Sequence, residues 1–460
     1  MNNVPLYEMI QLTIDYQSIQ VPKGTTILEA AKQGGVDIPH LCFHPDQSIK
    51  GNCRICMVEV KGSRKLAAAC ATPAWEGMEI LTHSRQVRDM QKGVLELILA
   101  NHQQDCLNCQ RNGSCELLAL CERFNITRSP LEDAVEALAL DNTNPSLVRD
   151  TAKCVKCMRC VEACQKVQTV DVLTHSHRSI HFNVTPAYNQ PLESTMCVYC
   201  GQCAAVCPTG AIVEKDETDL VWEALENPTK HVVVQVAPAV RVAIGDAFDL
   251  PPGEAVAEKL AATLRRLGFN GVFDTNFTAD LTIVEESNEL LYRIKNKGVL
   301  PMVTSCSPGW INFMEGRYFD LEAHISTCKS PQQMFGALSK TYYAKLNNLD
   351  PKDIFTVSIM PCTAKKYEAA REEMGREGYR DVDVVLTTRE LARMIKSSGI
   401  IFESQAPQEF DAPFGLASGA GVIFGASGGV MEAALRTAHS VVLGRPMENL
   451  SFTPVRGLDG

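Results

Sequence analysis

The sequence KCVKCMRCVEACQ at residues 153–165 returns as MCVYCGQCAAVCP at residues 196–208, so that Cys154, Cys157, Cys160 and Cys164 are matched by Cys197, Cys200, Cys203 and Cys207 at a displacement of 43 residues. Each copy reads C-x2-C-x2-C-x3-C, and Pro208 follows the second. Soft sulfur donors crowded onto tight turns suit a soft metal. The chain has 460 residues and 19 cysteines, sixteen of them before residue 210, so the repeat belongs to a cysteine-rich half. Met1 to Gln17 carries Glu8 and Asp15 and no continuous apolar core, which does not read as a secretory leader. The most apolar stretch, His231 to Phe248, is broken by Gln235, Pro238 and Arg241 and falls short of the roughly 18–20 apolar residues of a membrane span. The protein is therefore expected to be cytoplasmic, where thiols stay reduced and clustered cysteines serve as metal ligands rather than disulfides. Against 54 acidic residues stand 44 basic ones, with no dense Lys/Arg cluster, so nucleic acid and lipid are not expected partners. At this length the chain should hold two to four domains.

The paired runs resemble the bacterial two-cluster ferredoxin, in which the fourth cysteine of each run ligates the other cluster. That resemblance implies one 4Fe-4S cluster on Cys154, Cys157, Cys160 and Cys207, and a second on Cys197, Cys200, Cys203 and Cys164, over residues 144–216. Upstream, alternating Ile10, Leu12, Ile14 and then Ile19 and Val21 read as a hairpin. Thr26 and Glu29 form a capping box for a helix ending at Gly34-Gly35. Cys42, Cys53, Cys56 and Cys70 follow as C-x10-C-x2-C-x13-C, a four-thiolate set suited to iron-sulfur or zinc. Residues 8–82 thus resemble a plant-type ferredoxin of β-grasp form, which implies a 2Fe-2S cluster.

Between these lies a helical pattern, Val87, Met90, Val94, Leu97 and Ile98, that delivers His102 to Cys106, Cys109 and Cys115. Three thiolates and an imidazole fit zinc or iron equally well. This helical module spans 83–128; Cys121, in the apolar run Leu117 to Phe124, is expected to be a packed thiol, as is Cys328, which falls in no motif. After Asp219 cysteine almost vanishes. Apolar strands at Val232 to Val236, Phe355 to Ile359 and Val382 to Leu386 alternate with helices at Ala255 to Leu267, Ser330 to Leu346, Arg389 to Lys396 and Gly429 to Ala438. Residues 220–460 are therefore expected to form an α/β domain with a largely parallel sheet, on a chain that is otherwise α+β. The glycines of Gly419 to Gly429 match no phosphate-binding motif and are expected to serve close backbone packing.

This order of modules resembles the large subunits of iron-only (FeFe) hydrogenases over the whole chain. Thr304-Ser305-Cys306-Ser307-Pro308-Gly309-Trp310 is similar to the family's TSCCPxW motif except at one position, and Met360-Pro361-Cys362-Thr363-Ala364-Lys365-Lys366 matches MPCxxK. Lys329-Ser330-Pro331-Gln332-Gln333 and Gly428-Gly429-Val430-Met431-Glu432-Ala433-Ala434 also fit. By this likeness His102, Cys106, Cys109 and Cys115 hold a third 4Fe-4S cluster. Cys306 corresponds to the family's proton-donating cysteine, Glu286, Glu289, Ser326 and Arg293 to the proton path behind it, and Lys365 to the lysine beside a cyanide. The family's active centre, the H-cluster, joins a 4Fe-4S cubane on four cysteines to a two-iron unit. Here Ser307 stands where one cubane ligand is expected, and a protonated hydroxyl is a poor donor to soft iron. The CxxxC-glycine motif that would supply two more ligands does not occur before Gly460, which leaves Cys362 as the residual ligand.

The resemblance implies an electron-relay subunit with one 2Fe-2S and three 4Fe-4S clusters and without an H-cluster of its own. Its expected partners are an NAD(P)H-binding flavoprotein, a small 2Fe-2S subunit, ferredoxin, and a catalytic subunit such as a formate dehydrogenase or hydrogenase. The alternative is a working FeFe hydrogenase interconverting H2 and protons. An α/β domain ending at Gly460 would be incomplete and expose apolar surface unless covered, so an obligate complex is expected.

Overall fold

The computed structural model describes residues 8–448, apart from 132–134, 136, 137, 377 and 427. The first seven residues, part of the stretch read against a leader, and residues 449–460 of the last expected domain lie outside the described residues. Two compact units emerge. One comprises residues up to Cys197 together with Gly201–Glu214, the other Val198–Cys200 and everything from Lys215 on.

In the first unit the hairpin forms as Met9–Ile14 against Gln17–Pro22. It extends to a five-stranded sheet ordered Gln17–Pro22, Met9–Ile14, Glu79–Leu81, Met57–Val60, Ala67–Ala68. Met9–Ile14 and Glu79–Leu81 run parallel and the other pairings antiparallel. Alternation sends Ile10, Leu12 and Ile14 inward against Ile27, Leu28, Ala30 and Ala31 of the helix Ile27–Gln33. The Thr26/Glu29 capping box starts that helix and Gly34 caps its end. A second core joins Leu95 and Leu99 of the Ser84-capped helix Arg85–Ala100 to Leu117, Leu120 and the buried Cys121 of helix Glu116–Arg123. Short strands Leu147–Arg149 and Ile212–Glu214 pair antiparallel and bracket the cysteine-rich turns.

The second unit is built on four parallel strands in the order Gly271–Asp274, His231–Val236, Ile354–Met360, Val384–Thr387. Continuous apolar strands are what a sheet covered on both faces requires. Val232, Val234 and Val236 pack with Leu260 and Leu264 of helix Ala257–Leu267 and with Leu391 and Ile395 of helix Thr388–Ser397. The strand expected from Val382 instead begins at Val384. The Asp383 carboxylate accepts from the Thr356 amide at 2.8 Å and from Lys340 Nζ at 2.8 Å, so a side chain takes a ladder position at that end. The helix expected over Ser330 to Leu346 is present with Ser330 as its cap, and widens by one residue per turn over Ser339–Tyr343. Helices Asn276–Lys295 and Gly429–Leu443 meet where Ser287 Oγ donates to Ala434 O at 3.0 Å. Gly421 lies so close to Asn276 that a Cβ would fall 2.7 Å from its carbonyl oxygen, the tight backbone approach expected of this stretch.

Candidate functional site

The turns of the first unit draw the cysteines into separate rings. Cys154, Cys157, Cys160 and Cys207 line one cavity, so the fourth thiol of the second run meets the first three of the other. Burial pushes the Cys154 thiol up to about 11 and Cys157 to about 12, and raises Cys160 further. Thiols this deeply buried ionise only where a metal or cation repays the lost hydration. Cys154 Sγ accepts from the Lys156 amide at 3.4 Å.

His102, Cys106, Cys109 and Cys115 line a second cavity. Burial holds the His102 imidazole neutral, down to about 4, and Lys153 nearby adds to this. Its Nδ1 is buried without a hydrogen-bond partner. A neutral ring with a free nitrogen is what a metal ligand requires. Cys109 is approached so closely by Gly210 that a Cβ there would lie 2.5 Å from its sulfur. Arg111, from the same module, donates through Nη2 to Ala204 O at 2.9 Å and Cys207 O at 2.8 Å.

Cys42, Cys53, Cys56 and Cys70 also converge. Cys53 and Cys70 hydrogen-bond to Cys42 and lower it to about 2, while Cys53 and Cys70 are themselves pushed up. Cys70 likewise brings Cys56 down to about 7. Of the remaining set, Cys164, Cys197 and Cys203 lie in the first unit and Cys200 in the second. Cys164 Sγ accepts from the Val172 amide at 3.3 Å. Among the described residues no three His, Cys, Asp or Glu side chains are drawn together tightly enough to chelate a single ion.

In the second unit helix Asn276–Lys295 carries Glu286, Glu289 and Arg293 on one face, three to four residues apart. Glu286 is fully buried, and neither carboxyl oxygen has a hydrogen-bond partner. Burial pushes its carboxyl up to about 7, and Glu289 adds to this against the pull of the nearby Ser326 hydroxyl and Ser305 amide. Burial would raise Glu289 too, but hydrogen bonds outweigh it. Ser326 Oγ donates at 2.9 Å, Arg293 Nη2 at 2.6 Å and the Thr327 amide at 3.0 Å, and the carboxyl is held below its usual range. Burial raises the Cys306 thiol, with Lys365 opposing. Lys365 Nζ donates to Cys306 O and to Glu368 Oε2, both at 2.9 Å. It is thus tied into the site rather than a free surface cation. Ser307 is exposed and caps helix Pro308–Arg317 without a side-chain hydrogen bond.

Two residues at this site escaped the sequence reading. Glu368, buried and paired to Lys365, was detectable from its i+3 spacing on a helix. Cys328, expected to be merely packed, places Sγ 3.7 Å from Glu289 Oε2 and lines a cleft with Ser305 and Ser326; no spacing rule pointed there.

Buried thiols on tight turns, followed along the chain by a parallel-sheet unit with buried carboxyls, define a redox protein of the iron-sulfur class. Residues 230–460 match the pattern described as the iron only hydrogenase large subunit, C-terminal domain. Residues 7–85 match a 2Fe-2S iron-sulfur cluster binding domain, 91–130 the NADH-ubiquinone oxidoreductase-G iron-sulfur binding region, and 153–211 a 4Fe-4S dicluster domain. The NADP-reducing hydrogenase subunit HndD of Solidesulfovibrio fructosivorans is 47% identical over 98% of this chain and 79% of its own length. Iron hydrogenase 1 of Clostridium pasteurianum is 42% identical over the same shares, 98% and 79%. An NADH-quinone oxidoreductase subunit of Rickettsia bellii is 34% identical over 45% of this chain and 30% of its own. The chain belongs to the iron-only hydrogenase large-subunit family. No helix among the described residues is long and apolar enough to cross a membrane.

Proposed function

We propose that the chain is an electron-relay subunit of a multi-subunit, NAD(P)H- or ferredoxin-linked oxidoreductase in the cytoplasm. It would carry one 2Fe-2S cluster on Cys42, Cys53, Cys56 and Cys70 and three 4Fe-4S clusters. These rest on His102 with Cys106, Cys109 and Cys115, on Cys154, Cys157, Cys160 and Cys207, and on Cys164, Cys197, Cys200 and Cys203. The domain division 8–82, 83–128, 144–216 and 220–460 is part of the same reading, as are the β-grasp form of the first domain and the helical form of the second. Bound clusters supply one-electron storage at closely spaced points. The chain's own part is to hold four donors around each cavity, exclude water from the thiols and direct N–H groups at sulfur.

The observation that carries this reading is the gathering of two complete donor sets on neighbouring cavities, with Arg111 bonded to the carbonyl of Cys207. Among the residues present, an exposed hydroxyl at Ser307 stands where the family's first motif has a thiolate, a poor donor to the soft iron of an H-cluster. No chemical step is derived through it. Partners of the flavoprotein, small 2Fe-2S, formate dehydrogenase or hydrogenase kind accord with the NADP-reducing relative being a subunit. Val441, Val442 and Leu443 are each more than half exposed at the end of helix Gly429–Leu443.

Anaerobic purification with iron and acid-labile sulfide counts, EPR of the reduced protein and a dye-linked H2 assay test the proposal. Fourteen irons per chain is the sum expected of one two-iron and three four-iron clusters, with no H2 activity. A second reading, a working hydrogenase, is favoured by the retained chain Cys306, Glu286, Ser326, Glu289 and Arg293, and rapid H2 uptake would establish it over the first.

A further inference from the structure

Strand Leu147–Arg149 ends on a guanidinium that is 4% exposed and lines the cavity of Cys154, Cys157, Cys160 and Cys207. Its carboxylate partner is Asp141, at 3.5 Å from Nη2. Nε and Nη1 are buried and make no hydrogen bond. Leaving buried donors unpaired is costly, so a fold that keeps Arg149 here needs an acceptor in the cavity it lines.

The other charged groups nearby are already engaged. Asp150, which lines the same cavity, accepts from Lys153 Nζ at 2.9 Å and from the Ala152 amide at 3.1 Å. Arg111, at the His102 cavity, is turned to the carbonyls of Ala204 and Cys207. Asp141 is spread over the Leu192 amide at 2.8 Å and the Thr143 hydroxyl at 2.8 Å as well as Arg149. The Arg149 charge is therefore only partly balanced by its carboxylate.

We propose that Arg149 sets the reduction potential of the 4Fe-4S cluster held by Cys154, Cys157, Cys160 and Cys207, its Nε and Nη1 hydrogens donating to cluster or cysteine sulfur. The inference rests on the assignment of that cluster under the proposed function. One-electron reduction by a neighbouring cluster or by dithionite adds one negative charge to the cluster and moves no proton. A fixed cation with N–H groups on sulfur favours the more negative form, and hydrogen bonds to sulfur and net charge are the protein's means of setting such potentials. Arg149 makes this cluster a better electron acceptor than its four thiolates alone would. Asp141 limits the effect.

The test is an EPR-monitored redox titration of the full-length, cluster-loaded protein. Cys207→Ser first identifies the signal: loss of one 4Fe-4S component assigns it, whereas an unchanged spectrum and iron count remove the cluster assignment and the inference with it. Given that assignment, Arg149→Met is expected to lower the reduced-to-oxidised ratio of that component at a fixed potential about tenfold, a 59 mV fall for one electron. The other components should stay put. Arg149→Lys, which keeps the charge, is expected to recover part of the loss. Asp141→Asn, which keeps an acceptor oxygen, should move the potential upward. A merely structural pair would not give opposite signs. An Arg149→Met protein with full iron and an unshifted component overturns the proposal. Should that variant fail to load iron, Asp141→Asn decides: an upward shift supports the proposal, and no shift or a downward one overturns it.

Discussion

Replacing Glu286 by Gln should make the second unit more stable at alkaline pH, an unusual result for altering a fully buried residue. The native carboxyl is pushed from 4.5 to about 7, mainly by burial. Each pKa unit is worth about 1.36 kcal/mol, so the shift of roughly 2.5 units corresponds to about 3 kcal/mol. Because the folded-state pKa is raised, the native protein binds more protons than the unfolded chain between about 4.5 and 7, and stability falls as pH rises through that window. Above it the whole penalty is present, since a charged carboxylate sits where neither oxygen has a partner. Glutamine keeps the shape and removes the ionisation. Thermal unfolding under anaerobic conditions from pH 4.5 to 8.5 should show wild type and variant close together at the acid end. At the alkaline end the variant should melt higher, by roughly 2–4 °C per kcal/mol for a unit of this size. A difference that does not vary with pH, or a variant that melts lower at pH 8.5, would refute the reasoning.

Gly210→Ala should strip the His102 cavity selectively, because the added methyl meets Cys109 Sγ at 2.5 Å; iron analysis should find about four fewer atoms per chain. His102→Cys exchanges a neutral donor for an anionic one, and EPR titration should find that cluster's potential lowered by on the order of 100 mV with the others unmoved. Lys365→Met leaves Glu368, 5% exposed, without its cation and should destabilise the second unit by about 3–5 kcal/mol in denaturant unfolding, whereas the double variant with Glu368→Gln should recover most of that.

Local signals carried much of the architecture. Alternation gave the hairpin at Met9–Pro22, the Thr26/Glu29 spacing gave a helix start, and runs such as Val232 to Val236 gave the parallel strands, because burial pattern and capping are written within a few residues. Cys154, Cys157, Cys160 and Cys207 line one cavity and His102, Cys106, Cys109 and Cys115 another, groupings implied by resemblance to known iron-sulfur families rather than by spacing alone. Long-range electrostatics were not legible. Arg149 meets Asp141 through an isolated strand bridge, and Cys328 reaches Glu289 from 39 residues away, contacts that no helix or strand alternation marks. The ladder's late start at Val384 depends on Asp383 folding its side chain back to Thr356, a rotamer choice that composition does not encode.

The embrace of the Cys207 turn by the histidine module bears on how such a protein is built and rebuilt. Arg111 holds that turn by two carbonyls, and Gly210 packs closely on Cys109. Each cavity is thereby a wall of its neighbour. Excising the two-run segment as a stand-alone ferredoxin would open a flank to water and oxygen, and maturation enzymes filling one pocket would be helping to shape the next. Moving either module into another protein is therefore expected to need the contacting residues of its neighbour to move with it.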